Sequence, residues 1–330
     1  MKLAHCSRSC WLRIALLMTC SIVSLAIGEV GPLKILNKWD MKSDGRWDYI
    51  VPDSAAGRVY VARTTRFMVL DINSGKLIGE VPSAPNAHGI ALAKDLGVGF
   101  TSDGGSNTST VFDLKTLKVE TRIPVGNNPD AISYDPATQR VFVNNRDSED
   151  VTVIDAVKRN VIGSIKMPGK PEFAVNDGKG SIYINIDGAP GKVAQFDTTS
   201  MKIKNAFSLG ACEGPAGLGM DKHKRILFSG CSNGQLAIVN ADSGKVLQVL
   251  PIGEDADGVF FDYKFGQVYV STGADGKIVV VGENAGKYAI LQTLPTTEGS
   301  KTMGLDLETH KLYVPTAKFG PLPLERSVPQ

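Results

Sequence analysis

A register held through most of the chain constrains its fold more than any other feature. An apolar residue followed by aspartate occurs at Leu70-Asp71, Phe112-Asp113, Ile154-Asp155 and Phe196-Asp197. It returns in weakened form at Val239-Asn240 and Val281-Gly282. Successive marks are 42, 42, 42, 43 and 42 residues apart, and five residues after each stands Lys76, Lys118, Asn160, Lys202, Lys245 or Lys287. In the third unit, Arg140 to Asn144 and Val151 to Asp155 alternate apolar with polar residues on either side of a turn rich in Asn, Asp and Ser. That is the pattern of a β-hairpin. Four short strands repeated at ~40–45 residues form the blade of a propeller, a sheet that cannot bury both faces until neighbours stack on it.

Six four-stranded units are expected at roughly 46–82, 87–126, 129–168, 171–209, 213–253 and 256–295, with strand a innermost and strand d outermost. A large apolar residue marks strand b of each: Tyr60, Phe100, Phe142, Tyr183, Phe228 and Tyr269. Strand c ends on the aspartate or its replacement. A seventh unit begins at Lys301 and carries Tyr313 in its strand b. The lone amphipathic stretch Leu33 to Trp39 resembles the last strand of later units, so it is expected to close the final blade and remove the free edge. Residues 319–330 hold three prolines and no apolar-x-Asp ending, which reads as a Pro-rich tail rather than a ladder strand. The last blade is thereby left one strand short: either the sequence ends early, or the ring closes on a three-stranded blade. The fold class is all-β, a seven-bladed β-propeller over residues 29–318.

Residues 1–28 read as a removable secretory signal. Lys2, Arg8 and Arg13 precede a 14-residue apolar run from Ile14 to Ile27, and Ala26-x-Gly28 supplies small residues for cleavage. The run is short for a membrane span of ~20 residues. A lipoprotein anchor at Cys20 is the weaker alternative, because Thr19 is a poor small residue and the apolar run continues past the cysteine. Export to the periplasm or beyond is the expected localisation. Without the leader the formal net charge of +2 becomes −1, so no basic footprint for nucleic acid remains.

The b strands carry a family likeness. Phe142-Val143-Asn144-Asn145, Tyr269-Val270-Ser271-Thr272, Tyr60-Val61-Ala62 and Tyr183-Ile184-Asn185 resemble degenerate Tyr-Val-Thr-Asn quartets, with Gly-Lys turns at Gly75-Lys76 and Gly244-Lys245. Across residues 33–318 the chain resembles the exported bacterial YVTN-repeat (YncE-like) propellers. The resemblance implies seven blades and export. That family is functionally scattered, so it implies little about chemistry.

Counting back in the same register gives the residues that open strand a and face the channel mouth: Asp48, His88, Asp130, Glu172, Ala216, Asp257 and Lys301. Six of the seven are ionisable, and four of those are carboxylates. Like charges in a narrow funnel raise one another's pKa unless cations offset them. If the ring holds an ion, Asp130, Glu172 and Asp257 are the expected oxygen ligands and Ca²⁺ or a similar hard divalent metal the expected cofactor. Wet channel mouths with polar strand starts are the plainer explanation. The b–c turns add Asp103, Asn144, Asn145, Arg146, Asp147, Asn185, Asp187, Asn233 and Asp275 at the same end. Turn geometry accounts for most of these but not for Arg146, which is placed to oppose the carboxylates or to grip an anion.

Cys212 and Cys231 are the two cysteines left after the leader, and the strand order brings them to one rim, so a disulfide is expected. Gly210-Ala211-Cys212-Glu213-Gly214 also fits a G-x-nucleophile-x-G pattern, but that motif needs a strand–turn–helix setting. His223 and His310 fall on the opposite face without zinc-ligand spacing. Asn107-Thr108-Ser109 is a glycosylation triplet by pattern alone. The expected function is therefore a non-catalytic, monomeric, exported module that binds a small ligand or a protein partner at the top face. A metal-dependent, lactonase-like hydrolase using the same ring is the first alternative. A DNA-binding propeller is the second, disfavoured by charge.

Overall fold

The computed structural model describes residues 31–39, 41, 46–82, 85–316 and 320–326; the leader lies outside them. The alternating segments form seven four-stranded antiparallel sheets. In the third, Pro129–Asp135, Arg140–Asn145, Asp150–Asp155 and Asn160–Lys166 pair in that order, and five others repeat the meander. No helix among the described residues is long and apolar enough to cross a membrane.

The sheets pack face to face around a closed ring. Each of seven buried apolar clusters is shared by two consecutive sheets, and the last joins Tyr313 of the seventh to Ile50, Val59 and Val61 of the first. The aromatic marks of strand b are the glue. Tyr60, Phe100, Phe142, Tyr183, Phe228, Tyr269 and Tyr313 are all fully buried, each in the cluster that joins its own blade to the next. A buried aromatic of this kind removes ~150–250 Å² from water, which is why one is placed at every seam.

The register marks are turn caps. Asp71 Oδ1 accepts from the Asn73 and Ser74 amides and the Ser74 hydroxyl (3.2, 2.8 and 2.7 Å), and Asp113 and Asp197 do the same in their own turns. Asn240 repeats the set through its single Oδ1, which explains why asparagine can stand there. The sixth unit departs from expectation. Its strand c does not end at Gly282 but runs Lys277–Asn284, followed by a long outer strand Lys287–Pro295. With no side chain at Gly282 to cap a turn, the hairpin continues for two more residues.

The seventh blade also needs correction. Residues 320–326 are not a tail: Gly320–Arg326 is the third strand, between Leu312–Thr316 and the N-terminal Leu33–Ile35. The blade is therefore complete, closed by the N-terminal strand as its outermost member. Two prolines are tolerated because Pro321 and Pro323 stand at alternate positions, so both missing donors face one edge. The N-terminal strand pairs only with residues 324–326, past both prolines. Beyond that strand Trp39 turns inward onto Tyr313, ring centroids 5.8 Å apart. Gly75 (φ +70°) leaves room for it, since a Cβ there would lie 2.3 Å from the indole.

Candidate functional site: an acidic funnel at the hub

In five blades the ring residue sits inside a β-bulge. The inner-strand register slips by one residue between Trp47 and Ile50, Ala87 and Ile90, Pro129 and Ile132, Pro171 and Ala174, and Pro215 and Leu218. Those slips contain Asp48, His88, Asp130, Glu172 and Ala216. A bulge bends the strand and re-aims one side chain, here towards the axis. Asp257 and Lys301 occupy the same place just ahead of their strands, Gly258–Asp262 and Gly304–Leu305.

At five of the seven ring positions the backbone carbonyl is clasped by the preceding blade. Asn144 Nδ2 donates to the Glu172 carbonyl (2.7 Å), and Asn185 Nδ2 donates to the carbonyls of Ala216 and Gly217 (3.0 and 2.9 Å). Ser102 and Ser271 donate in the same way to the carbonyls of Asp130 and Lys301, and Thr302 donates to that of Asp48 (2.9 Å). The quartet thus has a physical reading. Its first residue seals the seam to the next blade, and its third fixes where the next ring residue points. The fit is tight: a Cβ at Gly217 would fall 2.5 Å from the Asp257 carbonyl oxygen.

Asp48, His88, Asp130, Glu172, Ala216, Asp257, Lys301 and Arg146 line one cavity of about 500 Å³. Its floor is closed. The Tyr49 and Phe173 rings lie 5.5 Å apart and Phe173 and Phe260 5.8 Å apart, over an apolar void of about 160 Å³. The channel is consequently a funnel with a plug rather than an open bore.

Within the funnel the charges form three groups. Arg146 pairs with Glu172 and also donates to Asp187 Oδ2 (2.8 Å). Lys301 Nζ sits 2.8 Å from Asp257 Oδ2. His88 Nδ1 donates to Asp48 Oδ2 at 2.6 Å and lies 3.6 Å from Asp130 Oδ1. The His88 tautomer follows from its other neighbours. Arg46 can only donate, so the 2.7 Å contact from its Nη2 fixes Asn86 Oδ1 outward and turns Asn86 Nδ2 to His88 Nε2, also at 2.7 Å. In this arrangement Nε2 accepts and the imidazole is neutral.

Burial pushes Asp130 up to about 6; His88 and Arg146 work against this, and Asp48 and Asp257 with it. Asp257 is raised by burial too, against the pull of Lys301. The Asp257 charge raises Lys301. For His88 burial acts downward, but the Asp48 hydrogen bond and the Asp130 and Asp48 charges carry it above its ordinary value. Protonation there would require Asn86 to turn its amide over.

The expected metal set is distributed otherwise. Glu172 and Asp257 each hold a cation of the protein, and among the described residues the three ligand-type side chains that come within 4.8 Å of one another are Asp48, His88 and Asp130. Both nitrogens of His88 are engaged, so this trio offers carboxylate oxygens and no free imidazole lone pair. Of the b–c turn residues, Arg146 and Asp187 reach the funnel. Asn144 and Asn185 are clasps, Asp103 accepts from Thr101 and Thr110, Asn145 donates to Asp150 and Thr152, and Asn233 anchors residues 211 and 213. Sequence reasoning missed a second tier two residues upstream of the ring: Arg46, Asn86, Asn128, Gly214 and Asp255 also line the cavity. The signal was there in part, since Asn86, Asn128, Gly214 and Asp255 all have positive φ.

Cys212 and Cys231 are bridged, with Cα atoms 5.5 Å apart, beside the funnel wall formed by Gly214, Pro215 and Ser232. The G-x-C-x-G pattern is therefore no nucleophile elbow.

On comparison with known proteins, no family model matches the chain. It is 22% identical over 280 residues to Antigen Lp49 of Leptospira interrogans serogroup Icterohaemorrhagiae serovar copenhageni, across 76% of this chain. It spans 60% of the length of that relative. Among solved structures it resembles Kuenenia stuttgartiensis hydrazine synthase, with a TM-score of 0.75 at 14% identity, covering 88% of this chain and 98% of the other. The chain is a β-propeller. At that identity the likeness is one of fold alone, and the hub chemistry has to be read from this chain's own residues.

Proposed function

We propose that this propeller is an exported, monomeric binding module of the YVTN-repeat type that holds a small polar ligand in its hub funnel without transforming it. The observation that carries the reading is convergence: side chains from all seven blades line a single plugged cavity of about 500 Å³, within the size range of ligand pockets. The ion pairs of Glu172 with Arg146 and of Asp257 with Lys301 favour binding over metal-assisted hydrolysis by the Asp130, Glu172 and Asp257 set, because two of those three carboxylates already hold a cation of the protein.

Thermal shift with a panel of amino acids, dicarboxylates, sugars and amines tests this on the native protein and on Ala216→Trp, which fills the funnel. A ligand of the native state raises its melting temperature. Compounds that stabilise the protein should do so only while the funnel is open, and NMR should recover them unchanged. Equal stabilisation of the filled variant, or chemical turnover of the compound, would contradict the proposal.

A further inference from the structure

The charge of the funnel is not balanced from within. Its lining holds six carboxylates, Asp48, Asp130, Glu172, Asp187, Asp255 and Asp257, against the cations Arg46, Arg146 and Lys301. Two negative charges remain without a partner of their own when His88 is protonated, and three when it is neutral. The surplus has a location. Two of the six, Asp130 and Asp255, make no hydrogen bond through their carboxylates among the described residues; Asp255 is exposed at the rim, whereas the Asp130 side chain is mostly buried, its nearest base being the His88 imidazole at 3.6 Å.

A second feature points to a ligand independently. Tyr49 is 8% exposed, lines the funnel and makes no hydrogen bond through its hydroxyl among the described residues. A buried phenol normally finds a partner. This one lies in the field of Asp130, Asp257 and Asp48, which together with burial hold its proton on well above the ordinary range. A hydroxyl oxygen that can accept, set among carboxylates, forms a seat for a cationic donor by ion pairing and charge-assisted hydrogen bonding. At the ring position itself blade five has only the methyl group of Ala216, beside Pro215, which gives that side of the ring an apolar stretch.

We propose that the ligand of the funnel is a small organic amine, its ammonium group held by Asp130 above Tyr49 and its hydrocarbon body lying along the Ala216–Pro215 side. This rests on the funnel being the binding site. A bare metal ion fits less well, since the cavity is far larger than one coordination sphere and His88 has no free nitrogen to give.

Isothermal titration calorimetry of the purified protein with 1,4-diaminobutane, benzylamine, succinate and calcium chloride tests it. Either amine should bind saturably, and succinate should not. Asp130→Asn should weaken amine binding by about ten-fold or more, as expected for a lost charge-assisted hydrogen bond. Tyr49→Phe should weaken it less. Absence of binding by both amines would overturn the proposal, as would binding indifferent to both substitutions. Binding of succinate or calcium alone, abolished by Ala216→Trp, would overturn the amine assignment while leaving the funnel as the site. Binding that survives Ala216→Trp would sink both.

Discussion

Asp130 shows what the hub asks of a single side chain. Its folded-state pKa, about 6 against an ordinary 3.8, means that the folded protein holds this proton more tightly than the unfolded chain. The sign follows: this site contributes stability below about pH 4, the contribution is lost as pH rises through about 6, and above that the ionised group is a liability. His88, Asp48, Asp257, Arg146 and Tyr49 are charged or titratable groups that face it. Asp130→Asn removes the titration. It should therefore be more stable than the wild type at about pH 7.5, by about 1–3 kcal/mol, with the gain disappearing towards pH 4. Melting curves at the two pH values check this, and a gain that grows on acidification would contradict it. Stability given up at one position is common where a site is kept ready for a ligand. Asp130 and its ring partners were legible in the sequence because they fall on the repeat. Tyr49 and Asp255 were not, since their roles depend on which groups meet across the axis. The pairing of Arg146 with Glu172, against Lys301 with Asp257, likewise depends on contacts between blades that no period encodes.

At the scale of the element, the repeat is readable wherever a local hydrogen-bonding need recurs, and becomes opaque where a longer-range contact replaces it. The apolar-Asp mark is conspicuous because each c–d turn needs a side-chain oxygen for its free amides, and Asn240 meets the need as well as Asp71 does. In the sixth unit the mark fades at Gly282, and the strand runs on to Asn284. The strand Gly320–Arg326 was hidden for the opposite reason: its prolines argue against a ladder, and only the short overlap with Leu33–Ile35 accommodates them. The quartets carried more than they disclosed. Asn144, Asn185 and Ser271 appear in them as strand residues, yet they are the clasps on the next blade's ring residue. The disulfide was legible from cysteine count and strand order. It ties the start of strand a to the end of strand b in the fifth blade, over a separation of 19 residues. Cys212→Ser should lower the melting temperature under oxidising conditions, by the equivalent of ~3 kcal/mol in the chain-entropy model. Under reducing conditions the variant and the wild type should melt together. Equal melting under oxidising conditions would count against a stabilising bridge.

Over the whole molecule, closure makes the site. Seven seams of buried aromatics set the sheets around one axis, and the N-terminal strand completes the seventh sheet. Only a closed ring gathers residues as distant in sequence as Asp48 and Lys301 into one cavity. A single blade has no funnel, and the charge surplus at the hub belongs to the assembly rather than to any repeat. The fold was therefore legible from the period, while the electrostatic character of the hub depends on which side chains meet across the axis. Ala216, the one ring position without an ionisable side chain, allows that surplus to be measured. The decisive comparison is the melting temperature of Ala216→Lys against Ala216→Glu at about pH 7.5 and low salt. The two side chains are similar in reach and opposite in sign. The expected result is that lysine stabilises relative to glutamate by about 1–3 kcal/mol, with the gap narrowing as salt is added. Equal melting of the two variants, or the reverse order, would contradict the convergence of seven blades on a shared negative funnel.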